Sequence, residues 1–190
     1  LVEACFNLSL AEYRILNMAF AEMAEYESGK GTFSSRPFRV TAQDYMQLFD
    51  VDRATAYEAM KSASERLFNR YFTYEIVYQK PDFIEVVKSR WVQKISYADA
   101  KGYITFSLTE DVFTMIGQLK ECFTRYRLSK TAQLTSVYAI RLYEMMIQWQ
   151  STKVVPMLDL EILRERLDIQ PDEYSRIFDF KKYVLDSAIK

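Results

Sequence analysis

The stretch WVQKISYADAKGYITFSL, residues 91–108, decides how the rest of the chain is read. Trp91, Gln93, Ile95 and Tyr97 alternate with Val92, Lys94 and Ser96, the two-residue period of a strand. ADAKG makes a turn, and YITFSL returns as a second strand. This is a β-hairpin with a five-residue loop. The segment before it has the period of helices. Thr41 with Asp44 caps a short helix running to about Phe49. DVD, residues 50–52, makes a tight connection in which Asp52 is a good N-cap. A longer helix follows through about Tyr71, with Ala56, Met60, Ala63, Leu67 and Tyr71 as its buried stripe. Two helices joined by about three residues have helix-turn-helix geometry.

Working further outward, Ser9 and Glu12 form a capping box. It opens a helix through roughly Tyr26, with Tyr13, Leu16, Phe20, Met23 and Ala24 on one face. ESGKGTFSSRP, residues 27–37, breaks the chain with Gly, Ser and Pro. Helix, helix-turn-helix, then hairpin is the order of a winged helix. Thr109 is placed to cap one more helix, EDVFTMIGQLKECF.

The pattern then restarts. KTAQLTSVYAIRLYEMMIQWQ, residues 130–150, reads as one long helix with Leu134, Tyr138, Leu142, Met145 and Trp149 on one face. STKVVP breaks it, Asp159 caps a short helix to about Leu167, and DIQPDE turns into a final helix beginning near Pro171 to Tyr174. FDV at 49–51 and LDI at 167–169 occupy the same place between helices, and the caps Thr41 and Asp159 share the same offset of 118 residues. The expected fold is therefore α+β and mainly helical, a tandem winged helix. Residues 1–128 form a first unit complete with its hairpin wing. Residues 129–190 form a second unit that stops before its wing and is read as truncated.

Composition narrows the chemistry. There is no histidine in 190 residues, which removes Ser-His triads, Cys-His dyads and histidine metal sites. There is no Gly-rich phosphate loop. Cys5 and Cys122 make neither a disulfide framework nor a metal spacing. No catalytic residue, cofactor or metal is expected. No signal peptide or bilayer-length apolar run is visible, so a cytoplasmic protein is the default. The formal net charge is −1, so any basic surface for nucleic acid must come from local segregation. One such segment is Lys120 to Arg141, with five Lys or Arg against the single Glu121. A solvated surface between elements is the plainer reading of it.

FTRYRLSKTAQLTSVYAIRLYEMM, residues 123–146, resembles the signature of iteron-binding plasmid replication initiator (Rep) proteins. FDFKKYVLDSAIK, residues 178–190, resembles the helix that follows it there, and LSLAEYRILNMAF, residues 8–20, the opening helix. The resemblance spans almost the whole chain. It implies two winged-helix domains that bind repeated origin DNA as a monomer and repress their own operator as a homodimer. It also implies recruitment of host replication proteins, without catalysis, in a bacterial cytoplasm. The alternatives are a winged-helix transcriptional repressor with no replication role and a protein-interaction module.

Candidate DNA contacts follow. On a helical wheel of YSRIFDFKKYVLDSAIK, residues 174–190, Ile177, Phe180, Val184 and Ala188 make an apolar sector that Phe178, Leu185 and Ile189 widen. Arg176, Lys182, Tyr183 and Lys190 lie opposite, with Asp179 and Asp186 among them. Lys181 falls inside the apolar arc, so it must snorkel or the helix must be irregular near Phe180. Periodicity alone leaves this a solvated face. The resemblance makes it the major-groove reader, with Lys181 and Lys182 at its paired basic positions. In the first unit Arg53, Thr55 and Lys61 sit near the start of the second helix, suited to phosphate positioning or to an ordinary amphipathic surface. Arg125, Arg127 and Lys130 are linker candidates near the DNA backbone. Arg141 reads as an inter-domain ion-pair partner, to Glu144 or another acid. Trp91, Tyr97, Tyr103 and Phe106 read as packing of the hairpin on the helices, or as a dimer surface.

Overall fold

The computed structural model describes residues 5–26, 37–79, 82–119, 131–147, 149, 153–155 and 157–189. In chain order these form β1 (Cys5–Phe6), α1 (Leu10–Tyr26), β2 (Phe38–Thr41), α2 (Ala42–Phe49), α3 (Arg53–Arg66), β3 (Tyr71–Gln79), β4 (Asp82–Arg90), β5 (Val92–Ala98), β6 (Tyr103–Leu108), α4 (Glu110–Leu119), α5 (Val137–Ile147) and α6 (Leu160–Arg166). The last element, α7, covers residues 177–189.

The local caps are where the residues predict them. Ser9 and Glu12 close a reciprocal box, the Ser9 amide donating to Glu12 Oε2 at 2.6 Å and the Glu12 amide to Ser9 Oγ at 3.3 Å. Thr41 accepts from the Asp44 amide at 3.1 Å. Asp52 accepts from the Thr55 amide at 3.0 Å, and Asp159 from the Glu161 amide at 2.8 Å. Each satisfies a helix-end donor that would otherwise lack a partner. Thr109 behaves differently: its hydroxyl donates to the Arg90 carbonyl at 2.6 Å and so ties the start of α4 to the end of β4.

The wing is a three-stranded antiparallel sheet in the order β2-β6-β5. Ile104, Phe106 and Leu108 of β6 point inward and are buried, while Tyr103, Thr105 and Ser107 alternate with them. Ala98 pairs with Tyr103, so the turn is the four residues 99–102, one fewer than the sequence suggested. Gly102 takes φ +59°, and a Cβ there would lie 2.5 Å from the Tyr57 hydroxyl. Glycine therefore lets the wing tip close onto α3.

A second three-stranded sheet has the order β1-β3-β4. β3 and β4 form a nine-residue-by-nine-residue hairpin paired from Tyr71↔Arg90 to Gln79↔Asp82. Residues 71–108 thus contain two hairpins. The helix expected to continue to Tyr71 ends earlier, in a 3₁₀ turn at Leu67–Asn69, because Tyr71 already pairs in β3. Tyr71 is exposed rather than part of the α3 stripe, whereas Ala56, Met60, Ala63 and Leu67 are buried.

α1 runs through the middle of the first unit. Ile15, Leu16 and Ala19 are fully buried, as is the charged Glu12, and Arg14 is nearly so. Glu12 Oε1 lies 2.9 Å from Arg70 Nε. One carboxylate thus caps α1 and anchors the base of the β3–β4 hairpin, which is how a buried charge is tolerated. Trp91 packs at 4.9 Å centroid distance on Phe72 and at 6.4 Å on Phe20.

α5 belongs to both units. Ile140 lies in the first core with Ala132. Met145 lies in a smaller second core with Leu167, Ile169, Phe180 and Val184, against which Tyr138 and Leu142 pack. The helix begins at Val137, seven residues later than the long helix expected from Lys130. Residues 132–136 form a non-helical turn, with Leu134 N–H bonded to Thr131 O and Ile140 N–H to Ser136 O. Thr135 and Ser136 favour helix starts over helix interiors, and they set this boundary.

Candidate nucleic-acid interface

The two helix-turn-helix segments share a turn. Asp50 and Asp168 both adopt left-handed φ, 50° and 58°. After each, the next amide reaches back five residues: Val51 N–H to Met46 O at 3.3 Å, and Ile169 N–H to Arg164 O at 3.0 Å. This is the backbone signature of a helix C-cap in which Asp occupies the place commonly taken by Gly. FDV and LDI are therefore one structural device used twice.

Beyond that point the turns diverge. In the first unit Asp52 caps α3 at once. In the second, residues 170–176 intervene, and Arg164 organises them. Its guanidinium donates to the carbonyls of Gln170 at 3.1 Å, Glu173 at 2.5 Å and Tyr174 at 3.1 Å. It is only 8% exposed and sits 5.5 Å over the Phe180 ring. A planar fork with several donors suits this task. The sequence reading passed over Arg164; its position in a short charged helix gives no local sign that it turns inward.

α7 begins at Ile177 rather than at 171–174 and is not a uniform helix. Ile177–Phe180 is α-helical, Lys181–Leu185 is a π-helical turn, and Asp186–Ile189 is α-helical again. The Asp186 amide bonds Lys181 O, five residues back. The extra residue in this turn resolves the conflict at Lys181. Phe180 and Val184 both stay in the core while Lys181 and Lys182 are both exposed. Ser187 Oγ donates to the carbonyls of Tyr183 and Val184 at 2.6 and 3.0 Å, partnering oxygens of the π turn. The apolar sector needs correction. Ile177, Phe178 and Ile189 face solvent, and the buried side is Phe180 and Val184 with Leu185 half-buried.

Of the other candidates on α7, Arg176 is exposed at the N-cap and Tyr183 is half exposed, its ring 4.9 Å from Lys182 Nζ. Lys190 lies outside the described residues, as do Arg125, Arg127 and Lys130. Arg53 and Lys61 are exposed on α3. Arg53 lies over the Tyr57 ring at 5.2 Å. Thr55 is exposed, but its hydroxyl donates to Asp52 Oδ2 at 2.6 Å, so its proton is already committed to the cap. That bond holds the Asp52 carboxyl below its usual range. The wing adds cations that the sequence reading did not single out. Arg39 stands over the Tyr103 ring at 4.5 Å, and Lys94 and Lys101 are exposed.

Trp91 and Phe106 are 2% and 1% exposed and belong to the first core, which corrects the reading of them as a dimer surface. Tyr97 and Tyr103 are half-buried. Tyr97 donates to Asp99 Oδ1 at 2.8 Å, and burial followed by that bond pushes its hydroxyl up to about 12. Arg141 is not a surface residue. Its Nε and Nη2 donate to Arg166 O at 3.1 and 2.7 Å, and its Nη1 lies 3.8 Å from Glu144 Oε2. Glu144 in turn accepts from the Tyr13 hydroxyl of α1. The pair with Glu144 is present but lies within α5; the bonds to Arg166 O and from the Tyr13 hydroxyl link it to α6 and α1.

Among the described residues no helix is long and apolar enough to cross a membrane, and no group of three potential metal ligands gathers. Residues 1–147 match the family described as Initiator Replication protein, WH1, and residues 159–190 match Initiator Rep protein, WH2. An uncharacterized 27.6 kDa protein of Escherichia coli is 26% identical across 100% of this chain and 80% of its own length. The WH1 domain of MSBI1.176, a replication protein isolated from a multiple sclerosis patient, is 35% identical over 63% of this chain and 88% of that one, with a TM-score of 0.47. The Pi initiator protein, solved in complex with iteron DNA, is 18% identical and covers 96% of this chain and 79% of its own, with a TM-score of 0.69. The two family models together cover most of the sequence, and the repeated turn and the wing agree with them: the chain belongs to the initiator replication (Rep) protein family and carries both its WH1 and WH2 regions in a tandem winged-helix fold.

Proposed function

We propose that this initiator binds repeated origin DNA, with α7 entering the major groove and α3 and the wing of the first unit resting on phosphates. The observation that carries this is the outward face of α7, where the π turn brings Lys181 and Lys182 to solvent together beside Arg176. The Pi initiator, of like fold, was solved with iteron DNA. Origin binding would start replication without chemistry by the protein itself, in a bacterial cytoplasm and with host replication proteins as partners.

The same chain would repress its own operator as a homodimer. The surface best suited to pairing is the β3–β4 hairpin rather than the wing. Among the described residues β4 is a sheet edge, and Val77, Phe83, Ile84 and Val86 are exposed on the hairpin. An open apolar edge of this kind pairs readily with a copy of itself across a two-fold axis.

The test is binding to duplexes carrying direct origin repeats, titrated against salt. Each lost phosphate contact lowers the slope of log affinity against log salt by about 0.9. Lys181→Ala/Lys182→Ala should weaken binding at least tenfold and reduce the slope by roughly 2. Unchanged affinity and slope would remove α7 from the interface. Failure to support replication from an origin that the protein binds tightly would favour a repressor with no replication role.

A further inference from the structure

The exposed face of α7 carries more than charge. Ile177 and Phe178 are 64% and 68% exposed in its first turn. Each stands four residues before an exposed lysine, Lys181 and Lys182, and the Lys181 amide bonds both the Ile177 and Phe178 carbonyls. Residues four apart on a helix lie on one face. The outward surface is thus two apolar side chains at the leading end, followed by two cations and preceded by Arg176. Asp179, between them, is half-buried, and Asp186 lies a further turn along. Leaving a Phe and an Ile this exposed costs burial that the second core, with its few members, would gain from.

We infer that Ile177 and Phe178 read thymine by contact with its 5-methyl group. This rests on the proposed placement of α7 in the major groove. In that groove the thymine methyl is the one apolar group on a base edge, and large apolar side chains recognise it by contact. The leading residues of a recognition helix are the ones that reach base edges. The flanking cations fit phosphates on either side and favour DNA over an apolar protein surface or a lipid tail. The bound site would contain thymines at a fixed spacing, selected by shape and apolar contact, while the lysines contribute affinity.

The experiment uses the full chain and a pool of random-sequence duplexes about two helical turns long. Sequences are selected from the thymine pool. The winners are then resynthesised with uracil, which pairs identically but lacks the methyl. The expected result is enrichment of thymine at one or two positions and about fourfold weaker binding for each methyl removed there. Phe178→Ser or Ile177→Ser should each reduce the difference between thymine and uracil duplexes, the two together should abolish it, and Phe178→Leu should keep it. Both residues are exposed, so these changes spare the core, and the uracil comparison leaves the protein untouched. Equal affinity of the unaltered chain for thymine and uracil versions of a selected site overturns the inference and leaves the placement of α7 standing. Selection of no sequence at all overturns both.

Discussion

The two helix-turn-helix segments begin with the same left-handed Asp and end with different helices. In the first, Asp52 caps α3 immediately, α3 is regular, and the wing tip closes on Tyr57. In the second, Arg164 holds an extended turn by three carbonyls, and α7 carries a π turn. The first is built from local caps and a large core. The second depends on the buried guanidinium of Arg164, with that of Arg141 on the Arg166 carbonyl, and on a core of five buried residues. Specialised backbone is concentrated where a surface must be presented, and regular backbone where a platform is needed. Irregular helix turns of this kind occur preferentially at functional sites.

The contrast breaks most directly at Arg164. Arg164→Met removes the three hydrogen bonds that hold the turn at Gln170, Glu173 and Tyr174, which should cost about 3 kcal/mol. Chemical denaturation should then show the second unit melting ahead of the first, with repeat binding lost. Asp52→Ala, its nearest counterpart in the first unit, removes only an exposed cap and should leave binding largely intact. Equal effects of the two would mean that the turns are equivalent after all.

Gly102→Ala tests the platform. At φ +59° with Tyr57 against it, any side chain is strained, and the cost should be about 1–3 kcal/mol. The melting temperature should fall, and base preference should not change, because α7 is untouched.

Much of this was readable in advance, for physical reasons. Caps are local: Ser9 with Glu12, Thr41 with Asp44, and Asp52 and Asp159 each act within three residues. The misfit of Lys181 on an ideal wheel leaves two resolutions, a snorkelled side chain or an irregular helix near Phe180, and the structure takes the second. What escaped depends on partners far along the chain. Glu12 meets Arg70 across 58 residues, and Tyr13 meets Glu144 across 131. Exposure of Ile177 and Phe178 is a property of what packs around α7, which composition and period do not encode. The β3–β4 hairpin runs directly into the wing hairpin, with only Trp91 between β4 and β5 to mark the boundary. The candidate site was legible as a set of exposed cations; its apolar members and the Arg164 clamp were not.

The smallest expected effect concerns Asp168. Burial raises its carboxyl above 3.8, with Asn7, Arg141 and Arg70 opposing the rise. A raised carboxyl favours the folded state below its unfolded value, and that contribution is lost as pH rises through the folded one. Asp168→Asn keeps a residue that accepts left-handed φ and removes the charge. Urea melts across pH 3.5 to 7 should show the variant lacking this acid-side gain and slightly more stable at neutral pH.

The division of labour itself is tested by measuring affinity for a bound repeat and for every single base-pair substitution of it. The comparison runs across the unaltered chain, Lys181→Ala/Lys182→Ala with Phe178→Ser, and Arg53→Ala/Lys61→Ala. If α7 reads bases and α3 positions phosphates, the α7 variant flattens the substitution profile. The α3 variant then weakens all sites by a common factor and keeps the profile. A profile flattened by the α3 changes and preserved by the α7 changes would contradict it.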